Sequence, residues 1–314
     1  TANRMAGNRL YDLGAGGIRL GEALATAADP ATAGNLVEDN CIHDGGCIHH
    51  GCVGIWVGRS SDNRICHNEV SDLDYTGISV GWNWEFERTP TRDNLIAHNH
   101  IHHVMRHVLS DGGGIYAIGL APGTVIRNNH IHDVHAYSKY SGRGIYLDQG
   151  CSGYLVEDNV VHHISGPCLR LQKGALSNVI VNNIFAFGGV AQLCFDTDRA
   201  NLFEYNIVYW DSGPLFLRGS WSNFDRVHDY NLYSRTDGEP IEFFEWTFEE
   251  WQQQGAQVSS YFTPGKMDAH SVIADPRFVD AEGGDYRLQP DSPALALGFR
   301  PIDQGSAGVI GDPV

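Results

Sequence analysis

Positive charge is scarce in this sequence: its 314 residues include 21 lysines and arginines against 38 aspartates and glutamates, which gives a net charge of −17. This balance argues against a nucleic-acid or anionic-membrane partner, because both favour clustered positive charge on the protein. Long apolar runs are also missing, since no uninterrupted stretch approaches the roughly 18 residues that cross a bilayer. No charged-then-apolar leader opens the chain, so a secretion signal is compatible with the sequence only if it was removed ahead of Thr1.

Cysteine occurs seven times, an odd number, so full internal pairing is impossible. We expect these residues to act as small buried hydrophobic side chains. The cluster CIHDGGCIHHGC at 41–52 holds three thiols and three imidazoles of the kind that bind zinc, but its spacing matches no closed zinc signature. The sequence therefore predicts no metal and no cofactor, and a zinc site at 41–52 is the alternative.

A repeat of short strands dominates the chain. An apolar-polar pattern that ends in asparagine recurs at intervals of 23 to 32 residues, with the asparagine at 8, 40, 68, 99, 129, 159, 183, 206 and 231. Asparagine tolerates left-handed backbone and bonds to neighbouring peptide groups, so each copy predicts two strands around a turn. A second family of strands contains Gly-Ile and lies between these copies, as in GGIRLG (16–21), VGIWVG (53–58), TGISVG (76–81), GGIYAIG (113–119) and GRGIYLDQG (142–150).

This repeat predicts an all-β fold, a right-handed parallel β-helix of about nine or more coils over residues 1–234. Like residues of successive coils would form ladders, because stacked strands lie about 4.8 Å apart. Residues 235–314 are predicted to cap the last coil, with one short helix at 247–255 that begins at a capping box of Thr247 and Glu250. The first coil shows no cap, so we expect a missing N-terminal domain, earlier coils or a partner to cover it.

Most of the 16 histidines follow the asparagine ladder, and we expect them to pack rather than to bind metal. His107 and His135 stand outside the ladder, in loops. Insertions at 82–93, 99–112 and 133–143 fall in consecutive coils. Long loops on a rigid scaffold often carry binding residues, so they predict a cleft across the Gly-Ile strands of coils three to six.

Two acids in that region are not required by the repeat: Asp111 in SDGGGIY and Asp148 in GIYLDQG. Two carboxyl groups that flank a glycosidic bond suffice to hydrolyse it. Strand alternation places Tyr146 and Asp148 on the cleft face. In register Asp111 precedes Asp148 by seven positions, so the two meet only if the glycines at 112–114 fold the chain back.

These two motifs, the asparagine-ended repeats and the tail ADPRFVD…DYRLQPDSPAL resemble secreted bacterial parallel β-helix proteins, most closely glycoside hydrolase family 141, which includes fucosidases and xylanases. The resemblance implies a secreted or periplasmic enzyme that hydrolyses O-glycosyl bonds of a polysaccharide or oligosaccharide, with catalytic carboxylates at Asp111 and Asp148. Members usually carry more sequence ahead of these coils. The expected substrate-binding residues are Trp82, Trp84, His107, Tyr116, His135, Arg143, Tyr146 and Lys173.

Two other functions stay open. A polysaccharide lyase or C5-epimerase shares this fold and needs a base beside a calcium ion or an arginine that neutralises a carboxylate. A non-catalytic carbohydrate-binding β-helix, or a fragment of a larger protein, is the third interpretation. If Asp111 and Asp148 lie too far apart, Asp196 and Asp198 in CFDTD (194–198) are the next acids to consider.

Overall fold

The computed structural model describes residues 2–24, 32–84, 86–196, 198–217, 224–254 and 267–311. Over these residues the chain winds into a right-handed parallel β-helix, in which each coil contributes one strand to each of three parallel sheets along most of its length. The predicted fold class is therefore confirmed. We number the coils by the asparagine at the turn, so that Asn99, Asn129 and Asn159 mark coils four, five and six. No described helix is long and apolar enough to cross a membrane.

The strands are numbered in chain order. Sheet 1 contains β1 (Arg4–Ala6), β4 (Leu36–Glu38), β7 (Arg64–Cys66), β10 (Leu95–Ala97), β13 (Val125–Arg127), β16 (Leu155–Glu157), β19 (Val179–Val181), β22 (Asp198–Glu204) and β24 (Phe224–Asp229). Sheet 2 contains β2 (Arg9–Leu10), β5 (Cys41–Ile42), β8 (Glu69–Leu73), β11 (His100–Val104), β14 (His130–Val134), β17 (Val160–Ile164), β20 (Ile184–Gly188), β23 (Ile207–Trp210), β25 (Leu232–Arg235) and β26 (Val272–Ile273). Sheet 3 contains β3 (Ile18–Gly21), β6 (Ile55–Gly58), β9 (Ile78–Gly81), β12 (Gly112–Ile118), β15 (Gly142–Leu147), β18 (Leu169–Leu171) and β21 (Leu193–Phe195).

A buried asparagine ladder joins sheet 1 to sheet 2. The side-chain oxygen of Asn129 accepts hydrogen bonds from the backbone nitrogen and the amide nitrogen of Asn99, both at 3.0 Å. Asn129 in turn donates to Asn159. The left-handed backbone lies one residue earlier than predicted, for example at Asn128 with φ 53°. The asparagine itself therefore serves as the hydrogen-bonding link between coils.

The C-terminal region divides into two parts. Helix α1 (Phe248–Gln254) has the predicted capping box: Thr247 N lies 2.9 Å from Glu250 Oε2, and Glu250 N lies 3.2 Å from Thr247 Oγ1. Gly255, the predicted end of this helix, lies outside the described residues. Trp251 of this helix stacks on Phe243 in the central core. Aromatic side chains from the C-terminal region thus extend the core at its C-terminal end.

The tail that follows takes an unexpected path. It includes the hairpin β27 (Phe278–Asp280) and β28 (Asp285–Leu288) and a second helix, α2 (Pro293–Leu297). Phe278 and Phe299 pack on the outer side of sheet 2, and Ile310 N bonds to Asp39 Oδ1 at 3.0 Å, in coil two. The tail therefore runs back along the β-helix, whereas we predicted a cap on the last coil.

The tail, which we predicted as strands and turns, also contains helix α2, because Ser292 caps this helix and Gly298 ends it with φ 103°. The division of the chain at residue 234 stays a prediction.

Candidate active site

A row of outward-facing side chains runs along sheet 3. Strands β12 and β15 pair with the 30-residue offset of the repeat, which sets Tyr116 beside Tyr146, while Ile115 and Ile145 enter the core. The same register continues in both directions. It defines what we call the outward row: Arg19, Trp56, Ser79, Tyr116, Tyr146, Arg170 and Cys194. Six strand spacings make this row about 29 Å long.

The two tyrosines of the outward row form a closed stack. Their ring centroids lie 4.9 Å apart. The guanidinium carbons of Arg143 and Arg170 lie 4.4 and 5.6 Å from the centroid of Tyr146, distances at which a cation is attracted to the ring. Only 2% of Tyr146 is exposed. The predicted contact of these rings with a sugar stays a prediction, and the closed stack does not favour it.

Asp148 is buried at the end of β15 and fixed by two neutral donors. The Tyr116 hydroxyl donates to Oδ2 at 2.7 Å, and Gln149 N donates to Oδ1 at 2.7 Å. Burial raises the pKa of Tyr116, and the hydrogen bond to Asp148 acts in the same direction. The phenol therefore stays protonated and keeps donating to Asp148 across the physiological pH range.

Asp196 occupies the same strand position as Asp148, two coils further on. Backbone hydrogen bonds of 2.8 and 2.9 Å, from Gln172 N to Leu147 O and from Asp196 N to Leu171 O, carry the register across coils five, six and seven. Two strand spacings separate Asp148 from Asp196, or about 9.5 Å. We call Asp148, Gln172 and Asp196 the aspartate row.

The two carboxylates of the aspartate row also point the same way. Each bonds to the residue two positions back on the preceding coil: Asp148 to Tyr116, and Asp196 to Arg170, whose Nη2 and Nε lie 2.6 and 3.0 Å from Oδ2. Because the contacts are equivalent, the carboxyl groups keep roughly the spacing of the strand positions. The side chain of Asp198, the other acid of CFDTD, lies outside the described residues.

Asp111 lies at the opposite end of the sheet-3 strands. Gly112 pairs with Gly142 and Gly113 with Arg143, so the glycine run continues β12 and the fold-back hypothesis was wrong. Seven positions of extended chain separate the backbone positions of Asp111 and Asp148 by roughly 23 Å, whereas the carboxyl groups of a catalytic pair lie within about 10 Å of each other. Asp111 instead accepts a hydrogen bond from Arg143 Nη1 at 3.0 Å. Arg143 and the tyrosine stack thus lie between Asp111 and Asp148.

Tryptophans from the first insertion lie beside the outward row. The Trp82 ring packs edge-on against the rings of Tyr116 and Trp84, with centroid distances of 6.4 and 6.2 Å. Trp82 Nε1 donates a hydrogen bond to Ser79 Oγ at 3.0 Å. Trp84 is 58% exposed. Phe86 of the same insertion reaches Gly174 in coil six. The insertion therefore forms one wall along the C-terminal ends of the sheet-3 strands.

A groove of about 450 Å³ extends this surface toward the first coils. Trp56 and Trp82 line this groove, and their ring centroids lie 5.7 Å apart. The guanidinium carbon of Arg19 lies 4.8 Å from the centroid of the Trp56 ring. Aromatic faces and polar groups thus continue for several coils beyond the aspartate row, which is the form of surface that an extended chain molecule needs.

The remaining predicted residues do not join this site directly. The rings of His107 and His135 stack on each other with centroids 5.3 Å apart. Within the described residues neither ring forms a hydrogen bond to Asp111 or Asp148. Lys173 is exposed one residue beyond Gln172. The structure thus brings together Arg143, the two tyrosines, Asp148 and Trp82, and it separates the loop histidines from them.

Two groups of residues could hold a metal, and they differ in geometry. Among described residues the thiols and imidazoles of 41–52 do not converge: Cys47 is exposed, and His43 and His50 pair with Asp44 and Asp74. On sheet 2, by contrast, sets of three ligand atoms lie within 4.8 Å of one another, from Glu69, His100 and His102 and from His100, His130 and His132.

Burial affects the charge of these sheet-2 groups. It lowers the pKa of His130 to about 3 and of His132 to about 4, with neighbouring imidazoles acting in the same direction. Burial opposes ionisation of Glu69, but hydrogen bonds from His100 and His102 outweigh it and lower the pKa to about 2. At neutral pH the His130 and His132 imidazoles are therefore neutral and Glu69 is ionised.

Arg170 and Gln172 were missed by sequence reasoning. Both follow from the 24-residue interval between Asn159 and Asn183, which places Arg170 beside Tyr146. The buried Oε1 of Gln172 has no hydrogen-bond partner among the described residues. A register count along the last coils would have identified both.

Comparisons with known proteins agree with this fold. A family model described as a right-handed β-helix region matches residues 85–208 of the sequence. The uncharacterized protein YwoF of Bacillus subtilis strain 168 is 30% identical over 132 residues, which cover 39% of this chain and 27% of that protein. A solved structure of a glycoside hydrolase is 27% identical with a TM-score of 0.52, and the match covers 57% of this chain and 32% of that one.

A second solved structure, of XylC in complex with xylose, is 14% identical over 84% of this chain and 53% of its own length, with a TM-score of 0.46, too low to support a functional argument. The chain spans about a third or less of YwoF and of the glycoside hydrolase. The protein is thus a right-handed parallel β-helix protein with a glycoside hydrolase among its structural neighbours. The resemblance to family 141 stays a prediction.

Proposed function

We propose that this protein is a glycoside hydrolase that cleaves O-glycosidic bonds of an oligosaccharide or polysaccharide lying beside the aspartate row and the tryptophans of the first insertion. The observation that carries the proposal is the equivalent placement of Asp148 and Asp196, two coils apart on one face. Two carboxyl groups facing one sugar ring are what hydrolysis requires. The glycoside hydrolase among the structural neighbours supports the same class of reaction.

A spacing of about 9.5 Å lies at the upper end of the range of inverting enzymes, in which a water molecule stands between the base and the sugar. Asp196 contacts the Arg170 guanidinium, an arrangement that suits a carboxylate acting as base. It takes a proton from water while the water oxygen bonds to the anomeric carbon. Asp148, whose hydrogen-bond donors among the described residues are neutral, gives its proton to the leaving oxygen as the glycosidic bond breaks.

Asp111 receives a different role in this proposal. Its distance along the strand from Asp148 and its contact with Arg143 assign it to positioning that guanidinium. This keeps Asp111 in the site but replaces its predicted pairing with Asp148. The predicted positioning of the acids by His107 and His135 has no support in their contacts.

The surroundings favour a neutral, extended sugar chain. The guanidinium groups of Arg19, Arg143 and Arg170 each pair with a carboxylate, so none of them is left to neutralise a uronate. Trp84, Trp82 and Trp56 offer the accessible aromatic faces on which sugar C–H faces stack. Because polymers reach an enzyme outside the cytoplasm, a secreted or periplasmic bacterial protein acting on plant or algal polysaccharide is part of the proposal.

The test is a measurement of new reducing ends when the purified protein is incubated with neutral polysaccharides such as xylans and fucose-containing glycans. We expect at least one substrate to be cleaved without an unsaturated product. An ultraviolet-absorbing product would identify a lyase instead. Binding to a glycan with no bond cleavage on the whole panel would favour the non-catalytic alternative.

A further inference from the structure

Ladder histidines of sheet 2 bring three imidazoles together on a different face from the proposed catalytic site. His100 lies on β11, and His130 and His132 lie on β14, so adjacent coils supply the rings. Each residue offers one ring nitrogen, and these three nitrogen atoms lie within 4.8 Å of one another. The His100 and His130 rings stack with centroids 4.9 Å apart, and the His100 and His132 rings are tilted to each other with centroids 5.0 Å apart.

Two carboxylates fix the tautomers of His100 and His132. Glu69 Oε2 lies 2.9 Å from His100 Nδ1, and Asp133 Oδ2 lies 2.6 Å from His132 Nδ1. An ionised carboxylate only accepts hydrogen bonds, so each Nδ1 carries a proton, and Nε2 is the nitrogen of each ring that can bind a metal ion. These two Nε2 atoms face each other at 2.8 Å.

His130 Nε2 lies at the same distance of 2.8 Å from His162 Nε2, so a proton between the two ring nitrogens accounts for each contact when no ion is bound, and a cation can take its place. A divalent metal ion is such a cation, and a carboxylate on the remote N–H is the usual support of a metal-bound histidine. We propose that His100, His130 and His132 form a zinc-binding site, with Glu69 and Asp133 as the carboxylates that orient His100 and His132. This proposal does not depend on the glycosidase assignment.

Ligand chemistry selects zinc over the commoner hard cations. Zinc binds imidazole nitrogens in four-coordinate sites, and three protein ligands leave a fourth position for water or another group. Calcium and magnesium prefer oxygen ligands. The His100 and His132 side chains are 26% and 16% exposed, so an ion can reach them from solvent.

The C-terminal tail borders this site. Gln304 Nε2 lies 3.2 Å from His130 Nε2, and a groove beside His130 is lined by Asp303 and Gln304. An ion on His130 would take the lone pair that the Gln304 amide contacts. Metal occupancy and the position of this part of the tail are therefore coupled.

The test uses chelator-treated full-length protein, titrated with Zn²⁺ by calorimetry and with Co²⁺ by visible spectroscopy. We expect one ion per chain and the visible bands of near-tetrahedral Co²⁺. His132→Gln and His100→Gln should weaken binding at least 100-fold, and Glu69→Gln about 10-fold to 100-fold through its effect on His100. His107→Gln removes an imidazole from the separate stacked pair with His135 and should leave binding unchanged.

Several results would overturn this site. One is the absence of Zn²⁺ and Co²⁺ binding by the folded wild-type protein, and another is equal affinity in wild type, His100→Gln and His132→Gln. A cobalt spectrum with thiolate charge-transfer bands would place the ion at cysteines instead, against the proposal. If the histidine variants fail to fold, the wild-type cobalt spectrum and the Glu69→Gln affinity decide the matter.

Discussion

Asp148 and Asp196 stand at the same position of the sheet-3 coil, two coils apart, and each carboxylate bonds to the residue two positions back on the preceding coil. One contact is with a phenol and the other with a guanidinium. The stacked coils thus orient the two carboxyl groups in the same way but give them different electrostatic surroundings. Such a difference allows one carboxyl group to act as an acid and the other as a base.

Asparagine substitutions separate the roles of the three acids. If Asp148 and Asp196 carry out hydrolysis, Asp148→Asn and Asp196→Asn should each lower kcat by about 100-fold to 10,000-fold, the range of a lost general acid or base. Asp111→Asn should lower kcat far less, because the Asp111 side chain is 67% exposed and contacts Arg143. Reducing-end assays on a cleaved substrate measure all three.

Asp211→Asn is the matched control for these variants, since Asp211 is exposed and lies directly after β23 of sheet 2. It should retain wild-type activity. Equal losses in Asp111→Asn and Asp148→Asn, with full activity in Asp196→Asn, would restore the original pairing and remove Asp196 from the mechanism.

The spacing of the aspartate row predicts the stereochemical outcome. At about 9.5 Å a water molecule fits between base and sugar, and the product is expected to have inverted configuration at the anomeric carbon. Proton NMR recorded during the first minutes of hydrolysis identifies the anomer before mutarotation. Retention would require carboxyl groups about 5 Å apart, and would contradict the assignment of this pair.

Tyr116→Phe removes a hydrogen bond from Asp148 without removing the stacked ring. The Tyr116 hydroxyl is the side-chain donor to Asp148 Oδ2, at 2.7 Å. Loss of one hydrogen bond to the protonated acid corresponds to about 0.5–1.5 kcal/mol, so we expect kcat/KM to fall about 2-fold to 10-fold and the pH–rate profile to shift. A profile identical to wild type would show that this bond does not act in catalysis.

The fold could be predicted from the sequence because parallel stacking repeats the same contacts in every coil. Asn99, Asn129 and Asn159 bond to their counterparts one coil away, so the repeat is visible as a period. The aspartate row was harder to find, because the interval falls from 30 to 24 residues after coil five and the aligned residues differ in type.

The sequence also contains a pattern on sheet 2 that indicates where the tail packs, and we did not use it in the prediction. The residue after the ladder asparagine points outward on sheet 2. It is apolar in coils six to nine, at Val160, Ile184, Ile207 and Leu232. In earlier coils polar residues such as Glu69 and His100 stand there. Outward apolar side chains need a cover, and the tail supplies it, but only the position of the tail in space shows which segment does so.

The asparagine ladder predicts a large and local effect on stability. Asn129→Ala removes the acceptor of Asn99 N and the donor to Ile96 O, both in a buried turn. Leaving two buried polar groups unpaired should lower the free energy of unfolding by about 3 kcal/mol. Thermal unfolding followed by circular dichroism measures this change.

Asn128→Gly is the control one residue earlier, at the position with φ 53°. Glycine accepts this backbone conformation without steric cost, so we expect a change of less than about 1 kcal/mol. A similar loss in both variants would mean that the turn backbone, and not the ladder hydrogen bonds, sets stability.

The Asp74 contacts predict a pH-dependent contribution to stability. Burial opposes ionisation of Asp74, but hydrogen bonds from Arg106 and His50 outweigh it and lower the pKa of the carboxyl group. A group with a lowered pKa in the folded state stabilises the protein fully above its unfolded pKa, about 3.9 for aspartate, and loses that contribution as the pH falls through the folded value.

Asp74→Asn should therefore lower the melting temperature most at neutral pH, by an amount that corresponds to about 1–2 kcal/mol, and the difference from wild type should shrink below about pH 4. Asp62→Asn is the matched control, since Asp62 faces Arg92 at 3.9 Å with both side chains at least half exposed, and such pairs contribute little. A difference between wild type and Asp74→Asn that stays constant from neutral to acid pH would show that packing, rather than charge, accounts for the effect of Asp74.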